Sequence, residues 1–339
     1  MPNLKRSIRA LNALVVAVAF GGALLLSACS SSSSGGDPIK LGFSAWPGWF
    51  PWQVAEEAGI FKDAGVKVEL VWFEGYLDSI NALAVGQLDA NSQTLNDTIG
   101  SVAAGSDQVI VLVNDNSTGN DQIIVSKDIK TIQDLKGKKV AVEAGVVDHF
   151  LLLLGLKAAG MSFSDVQIVN LETGAAAAAF AAGQVDAVGA FAPFTTEALK
   201  REGSRTLFSS KDYPGAIPDH LVVSRKLATD RPEDVQKLVN AWFKTLDYIK
   251  KNPDKATDIM AKRAGVSKDD YKGYEAGTTL FSVADNTKAF TSGSARANLD
   301  FATKEITTFL IDAGFIKAAP DASKLFEPKF VSEYASKNK

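Results

Sequence analysis

Three tryptophans fall within one short turn of the sequence, and their side chains suit a binding surface. Trp46, Trp49 and Trp52 share a segment with two prolines and a glycine. The face of an indole ring can hold a cation, a planar amide or an alkyl chain, and a bound cation gains about 0.5 to 2 kcal/mol. We expect Trp52, which begins a predicted helix, to pack in the core. Trp46 and Trp49 directly follow the first predicted strand, so we expect them to form a wall of a binding cleft.

Acidic residues at the ends of predicted strands are the second group that could bind a ligand. Glu74, Asp97 and Glu143 each follow or lie near the end of a strand, where α/β proteins place their ligands. Asp148 precedes a helix, a position that also suits an N-cap, and Glu172 is expected to be solvated. The candidate ligand-binding residues are Ser44, Trp46, Trp49, Glu74, Asn96, Asp97, Glu143, Asp148 and Asp219.

Other kinds of site lack the residues that they need. The single cysteine, Cys29, allows neither an intramolecular disulfide nor a cysteine-rich metal site. His149 and His220 have no spaced partners for zinc, so we expect them to be structural or to lie at a rim. No Gly-x-Ser-x-Gly, Walker or dinucleotide-binding motif is present. The net charge of −3 gives no basic footprint for nucleic acid. We therefore expect no metal, no cofactor and no nucleic-acid partner.

The first residues have the pattern of an export signal. Basic residues precede an uncharged apolar run from Ala13 to Leu26, which is too short and too poorly flanked for a good membrane span. The run ends in Leu-Ser-Ala-Cys29, which resembles the bacterial lipobox, where cleavage leaves a terminal cysteine that carries lipid. We expect residues 1–28 to be a lipoprotein signal peptide and residues 29–37 to be a lipid-anchored Ser/Gly linker. The mature protein would then be anchored to a bacterial membrane, in the periplasm or at the cell surface.

The elements that must position these residues alternate between short strands and helices from Ile39 onward. This order predicts βαβ units and mainly parallel sheets with helices on both faces. A quasi-repeat indicates two such lobes. Over 74–90 the chain has Glu-Gly, a helix and Gly-Gln-Leu-Asp-Ala, and over 172–187 it has Glu-Thr-Gly, a helix and Gly-Gln-Val-Asp-Ala. In each copy an alanine-containing helix ends at a glycine suited to the left-handed position that closes helices.

Polar and turn-forming segments mark where the chain should cross between the lobes. Asn114–Asp121 is the predicted first crossing, and the return is expected near Pro214–Ser224. We therefore predict a first lobe from 38–116, a second lobe from 117–224, and helices over 225–339 that complete the first lobe.

The cleft between these lobes should be lined by the loops beyond the carboxyl ends of the strands. Eight such loops are predicted, and they contain no lysine or arginine. They are 44–53, 73–78, 94–98, 114–121, 143–149, 172–175, 191–195 and 217–220.

Several stretches resemble one known family. They are Ala-Glu-Glu-Ala-Gly-Ile-Phe at 55–61, Ala-Leu-Ala-Val-Gly-Gln-Leu-Asp at 82–89, Asp-Leu-Lys-Gly-Lys-Lys-Val-Ala-Val at 134–142, and Gly-Gln-Val-Asp-Ala at 183–187 with Ala-Pro-Phe at 192–194. In this order, behind a lipobox, they resemble the solute-binding proteins for nitrate, alkanesulfonates, taurine and thiamine precursors. The resemblance implies the type II periplasmic-binding-protein fold, with two α/β lobes joined by two hinge crossings. It also implies a monomeric, non-catalytic ABC-importer subunit that works with a permease and an ATPase.

The charge of the cleft loops decides which ligand we predict. An oxyanion would find no cationic side chain there, whereas the carboxylates can accept N–H donors. We therefore predict a small cationic or amide-rich nitrogen compound, similar to guanidinium or urea, captured by closure of the lobes. The segment 48–52 bears a weaker resemblance to a subgroup associated with urea-carboxylase-type nitrogen pathways.

Other ligands and one enzyme activity stay open. Taurine is the first alternative, because its amine requires a carboxylate, and alkanesulfonate and nitrate are the others within the same family. A thiamine-precursor receptor, or an enzyme similar to the pyrimidine-precursor synthase, is less favoured. That synthase depends on a cysteine-rich motif, which a chain with one cysteine cannot supply.

Overall fold

The computed structural model describes residues 36–338, and it folds them around two β-sheets. The predicted signal peptide 1–28, the acylated Cys29 and most of the predicted linker lie outside the described residues. No helix within 36–338 is both long enough and apolar enough to cross a membrane.

Strands and helices alternate along most of this part of the chain, as the sequence predicts. The strands are β1 (Ile39–Phe43), β2 (Val68–Trp72), β3 (Ala90–Thr94), β4 (Gln108–Ser117), β5 (Asp121–Val125), β6 (Lys139–Val142), β7 (Gln167–Asn170), β8 (Ala187–Phe191), β9 (Arg205–Ser209), β10 (Pro218–Ser224) and β11 (Thr278–Leu280). The helices are α1 (Pro51–Glu57), α2 (Ile60–Asp63), α3 (Tyr76–Ala84), α4 (Leu95–Ala103), α5 (Val147–Ala158), α6 (Thr173–Ala181), α7 (Phe194–Ala198), α8 (Arg225–Asp230), α9 (Pro232–Lys251), α10 (Pro253–Ala264), α11 (Lys268–Glu275), α12 (Val283–Ala289), α13 (Leu299–Asp312) and α14 (Lys329–Lys337).

The two sheets have the same strand order. The first runs β2-β1-β3-β10-β4, with β11 added beside β4, and the second runs β7-β6-β8-β5-β9. In each sheet the first three strands are parallel, and the fourth is antiparallel to both of its neighbours. That antiparallel strand is the first one formed after each crossing between the lobes. The predicted α/β class is confirmed, and each sheet with its helices forms one lobe.

The quasi-repeat in the sequence is a repeat in the structure. Gly86 and Gly183 end equivalent helices with left-handed φ angles of 75° and 76°. Asp89 accepts the backbone N–H of Lys40 at 2.9 Å, and Asp186 accepts that of Lys139 at the same distance. Each aspartate therefore ties the start of one strand to its neighbour, which explains why the motif occurs in both lobes.

The residue bounds of both crossings differ from those predicted from the sequence. Asn114–Ser117 is not a turn but the end of β4, because these residues pair with β10 and β11. The first crossing is therefore only 118–120. The predicted second lobe, 117–224, is too long, because Pro218–Ser224 forms β10 between β3 and β4 of the first sheet.

The two crossings run side by side and are bonded to each other. The N–H of Ser117 donates to the carbonyl of Ile217 at 2.9 Å, and the N–H of Gly119 donates to Ser210 Oγ at 2.8 Å. Gly119 has a φ of 146°, which side-chain-bearing residues rarely adopt. These bonds join the crossings into one hinge.

The C-terminal helices cover the first lobe and also contact the second. Trp242 of α9 packs against Trp52 with ring centroids 4.6 Å apart, so Trp52 lies in the core as predicted. The sequence predicts that these helices complete the first lobe only, but α13 also contacts the second lobe. Phe309 of α13 packs on Phe150 of α5 with ring centroids 5.2 Å apart, because α13 lies beside the edge where the lobes meet.

Candidate binding site between the lobes

A small enclosed cavity lies where the strand ends of the two lobes face each other. Its volume of about 10 Å³ leaves room for about one water molecule, so the lobes are closed on each other. It is lined by Ala45, Trp46, Trp49, Tyr76, Thr94, Asp121, Val147, Phe191, Ile217 and Asp219. No lysine or arginine is among these residues.

Four aromatic rings form most of the cavity wall. Trp46, Trp49 and Tyr76 belong to the first lobe, and Phe191 comes from the second. Ring centroids are 5.3 Å apart for Trp49 and Tyr76, and 6.3 Å apart for Trp46 and Phe191. The rings of this cage pack against one another, and an aromatic ring face is a favourable surface for a cation or a flat polar group.

The turn that carries the two indoles is held against β4. The Nε1–H of Trp46 donates to Asp115 Oδ1 at 2.9 Å. A Cβ atom added at Gly48 would lie 2.0 Å from Asp115 Oδ2, so only glycine allows the turn to pass this close. The hydroxyl of Tyr271 donates to the carbonyl of Pro47 and fixes the turn from its other side. Together these contacts orient Trp46 and Trp49 toward the cavity.

Five buried aspartates surround the contact between the two lobes. We call this contact the seam and these residues the seam aspartates. Asp97, Asp115 and Asp219 belong to the first lobe, and Asp121 and Asp148 belong to the second. None is more than 7% exposed. Asp115 and Asp219 are directly opposite each other in the β4–β10 register. Carboxylates thus face the seam from both lobes.

Several oxygens of the seam aspartates have no hydrogen-bond partner. Both carboxylate oxygens of Asp148 are unpartnered, as is Oδ2 of Asp115, Asp121 and Asp219. The Nε1–H of Trp49 beside them is also unpartnered. A buried polar atom without a partner costs about 1 to 3 kcal/mol. The closed seam therefore has many acceptors for a ligand that carries N–H donors.

Burial raises the pKa of every seam aspartate, because the charged form loses its water. The pKa of Asp97 and of Asp121 is raised to about 7, and that of Asp115 to about 8. Burial also raises the pKa of Asp219 and of Asp148 well above the ordinary value, and neighbouring carboxylates add to this. In the facing pair, the charge of Asp115 further raises the pKa of Asp219.

Two of the predicted site residues have a different local role from the expected one. Asp148 is not the N-cap of α5, because the helix begins at Val147 and Val146 takes that position. Glu74 is exposed and accepts the Nε1–H of Trp72 at 2.8 Å. Its strand, β2, is the edge strand of the first sheet, so the strand end lies away from the central strands that meet the second lobe.

The remaining predicted residues lie in or beside the seam. Ser44 is 1% exposed, and its Oγ has no partner. The side chain of Thr94 caps α4 and donates to Asp97 Oδ2 at 2.7 Å, and Asn96 donates to Asp97 Oδ1 at 2.7 Å. Glu143 accepts the backbone N–H of Leu77 across the seam. Burial raises the pKa of Glu143, and this bond opposes the rise.

Among the aromatic and acidic residues of the site, four were not in the predicted set. Asp115 lies near the end of β4 and Asp121 begins β5, within a segment that the sequence identified as a crossing and as a cleft loop without selecting either residue. Tyr76 and Phe191 lie within or at the end of predicted cleft loops, and that position was their only signal. The two histidines lie outside the cavity: His149 accepts the N–H of Gly145, and His220 is fully buried in β10.

A larger groove lies beside the seam and is open to solvent. Its volume is about 500 Å³, and it is formed by α3, α4, the start of α5 and residues near the end of α13. Of the predicted ligand residues it contains only Asn96 and Asp97. The enclosed cavity, with its aromatic wall and unpartnered carboxylates, is therefore the better candidate for recognition.

Comparison with known proteins agrees with this geometry. Residues 46–256 match the model of the family described as NMT1/THI5 like, which covers more than half of the chain. This chain belongs to the NMT1/THI5-like family. It is 29% identical to the taurine-binding periplasmic protein of Escherichia coli over 83% of this chain and 89% of that protein. The predicted family resemblance is confirmed.

Two solved structures show the same fold as this NMT1/THI5-like protein. The periplasmic aliphatic sulphonate binding protein SsuA of Escherichia coli superimposes with a TM-score of 0.70 at 23% identity, covering 87% of this chain and 93% of SsuA. The periplasmic nitrate-binding protein NrtA of Synechocystis PCC 6803 gives a TM-score of 0.73 at 16% identity, with 89% of each chain covered. The predicted fold of periplasmic solute-binding proteins is confirmed.

Proposed function

We propose that this protein is the extracytoplasmic solute-binding subunit of an ABC importer. It captures a small cationic or amide-rich nitrogen compound, similar to guanidinium or urea, by closing its lobes, and it delivers this ligand to a permease driven by an ATPase. It acts as a monomer and does no chemistry on the ligand. The observation that carries the ligand class is the set of five seam aspartates, four of them with unpartnered oxygens, beside an aromatic cavity that no lysine or arginine lines.

The chemistry of the seam favours N–H donors that carry positive charge. Asp121 and Asp219 line the cavity from opposite lobes, so a cation with donors on several sides can bond to both once the lobes move apart enough to admit it. Charge-assisted hydrogen bonds of this kind are roughly twice as strong as neutral ones. A planar cation can also stack against Trp46 or Trp49. Such a ligand stabilises the closed form over the open form, because only closure brings both lobes to it.

Taurine is the second candidate, because a relative at 29% identity is a taurine-binding periplasmic protein. Its amine can bond to the seam aspartates, but its sulfonate must be held by backbone and hydroxyl donors. Alkanesulfonate and nitrate, which SsuA and NrtA bind, have no amine and would place negative charge beside buried carboxylates. A thiamine precursor and a synthase activity rank lower, because no feature of the seam favours either.

The place of this receptor in the cell follows from its N-terminal sequence. We propose that Cys29 becomes the acylated first residue and that the protein is held at a bacterial membrane in the periplasm or at the cell surface. Intact-mass measurement of the membrane-extracted protein should show residues 29–339 with a lipid-sized increment. A mature N-terminus elsewhere, or an unmodified Cys29, would contradict this anchor.

A thermal-shift panel tests the ligand class. The refolded, ligand-free protein is heated with guanidinium, urea, tetramethylammonium, taurine, nitrate or methanesulfonate at millimolar concentration and constant ionic strength. We expect guanidinium to raise the melting temperature most, because it combines charge with N–H donors. A rise with nitrate or methanesulfonate alone would contradict the proposal, and a rise with tetramethylammonium alone would restrict recognition to the aromatic cage.

A further inference from the structure

Glu143 is a buried carboxylate whose two oxygens have partners in different lobes. Its Oε1 accepts the backbone N–H of Leu77 at 3.2 Å, and its Oε2 accepts the hydroxyl of Thr173 at 3.0 Å. Leu77 lies in the first turn of α3 in the first lobe, and Thr173 is the first residue of α6 in the second lobe. Glu143 is 6% exposed and does not line the cavity. It joins the lobes without contacting the ligand space.

The two helices that Glu143 joins are equivalent elements of the internal repeat. Their N-termini face each other across the seam, and each carries partial positive charge from its unpaired N–H groups. Gly75, the N-cap of α3, has no side chain to cap its helix. Glu172 caps α6 by accepting the N–H groups of Gly174 and Ala175. Closure therefore brings two positive helix ends together, and Glu143 is the carboxylate that bonds to both of them.

We infer that Glu143 is a positioning residue for lobe closure: it acts as a built-in anion that bridges α3 and α6 once the lobes meet. In the open form its bond to Leu77 is absent, and both groups are bonded to water. In the closed form the carboxylate replaces that water at an otherwise uncapped helix end. This role rests on the proposed function only in that ligand binding drives closure.

The position of Glu143 at the N-terminus of α3 also affects which ligands the cleft can bind. A helix N-terminus is a favourable place for a small anion. At this seam the place is already filled by a side chain of the protein itself. Glu143 thereby removes an anion-binding position from the cleft and leaves the aspartate-lined cavity for a cation.

Chemical rescue tests the bridge. Glu143→Ala removes the carboxylate and leaves space for formate, whereas Glu143→Gln fills the space with a neutral group of the same size. Each variant and the wild type are melted without guanidinium, in sodium formate and in sodium chloride of equal ionic strength. Guanidinium affinity and dissociation rate are then measured in both salts.

The bridge predicts a response to formate in only one of the three proteins. Formate should raise the melting temperature of Glu143→Ala, but not that of the wild type or of Glu143→Gln. Glu143→Ala should bind guanidinium about tenfold more weakly, through faster dissociation, and formate should recover part of the loss. An equal formate response in all three proteins, or unchanged guanidinium binding in Glu143→Ala, overturns the bridge. Formate rescue in a protein that does not bind guanidinium supports the bridge and contradicts the proposed ligand.

Discussion

Replacing Asp219 with Asn should abolish cation binding and at the same time stabilise the ligand-free protein. Asp219 is 1% exposed, its Oδ2 has no partner, and it lies opposite Asp115. Its removal takes away a charged acceptor of the ligand, so binding should weaken at least about a hundredfold. It also removes a buried carboxyl that loses water on closure, and the new amide can donate to Asp115. The free energy of unfolding without ligand should therefore rise by about 1 to 3 kcal/mol.

Calorimetry and urea unfolding measure these two opposite effects in the same sample. Glu74→Gln is the matched control, because Glu74 is exposed and bonded to Trp72. It should leave both the affinity and the stability unchanged. If Asp219→Asn binds guanidinium within about threefold of wild type, the seam aspartates do not hold the ligand.

Raising the pH from about 6.5 to 8 should destabilise the ligand-free closed protein and strengthen cation binding. The pKa of Asp97 and of Asp121 is raised to about 7, and that of Asp115 to about 8, whereas unfolded aspartates titrate near about 4. Between these values the folded protein holds more protons than the unfolded chain. Each such carboxyl therefore lowers the free energy of unfolding by up to about 1.4 kcal/mol per pH unit, until the pH passes its folded pKa.

The choice of pH window separates this effect from that of the histidines. Burial lowers the pKa of His149 to about 4 and of His220 to about 3, so below about pH 6.5 their loss of protons on folding opposes the aspartates. Above that pH this opposing contribution fades, because the unfolded histidines also lose their protons.

Cation affinity should rise with pH, whereas the stability of the ligand-free protein should fall. A bound cation requires ionised carboxylates, so its affinity should rise up to tenfold per pH unit for each proton released. Calorimetry at pH 6.5, 7.25 and 8, in buffers of different ionisation enthalpy, gives both the affinity and the number of protons released. An affinity that falls as the pH rises would indicate an anionic ligand.

Local sequence signals were enough to predict most of the fold. The paired Gly-Gln-x-Asp-Ala motifs indicated two lobes because each glycine and aspartate acts within its own neighbourhood, as with Gly86 and Asp89. The helices predicted over 225–339, such as α9 and α10, were found for the same reason. The error at Asn114–Ser117 had a different origin. Polar residues there form a strand because β10, a hundred residues later in the chain, pairs with them.

The site was predicted less well, since it depends on contacts distant in sequence. Trp46, Trp49 and Asp97 were selected from their positions after strands, and Asp219 from its predicted cleft loop, but the same reasoning selected Glu74. Its exposure follows from the edge position of β2, and strand order is not encoded locally. To predict that Asp115 faces Asp219, one needs the register of β4 and β10. To predict the bond from Leu77 to Glu143, one needs the closure of the two lobes.

Direct competition between guanidinium and taurine tests the central claim most closely, because both ligands offer N–H donors but only taurine adds a sulfonate. Refolded, ligand-free wild-type protein is titrated by calorimetry at pH 8 with each compound, first alone and then with the other present at saturation. The seam predicts that guanidinium binds more tightly and that saturating guanidinium blocks any taurine binding. Tight taurine binding with no measurable guanidinium binding would show that the seam aspartates recognise the amine of a zwitterion, and it would contradict the proposed ligand class.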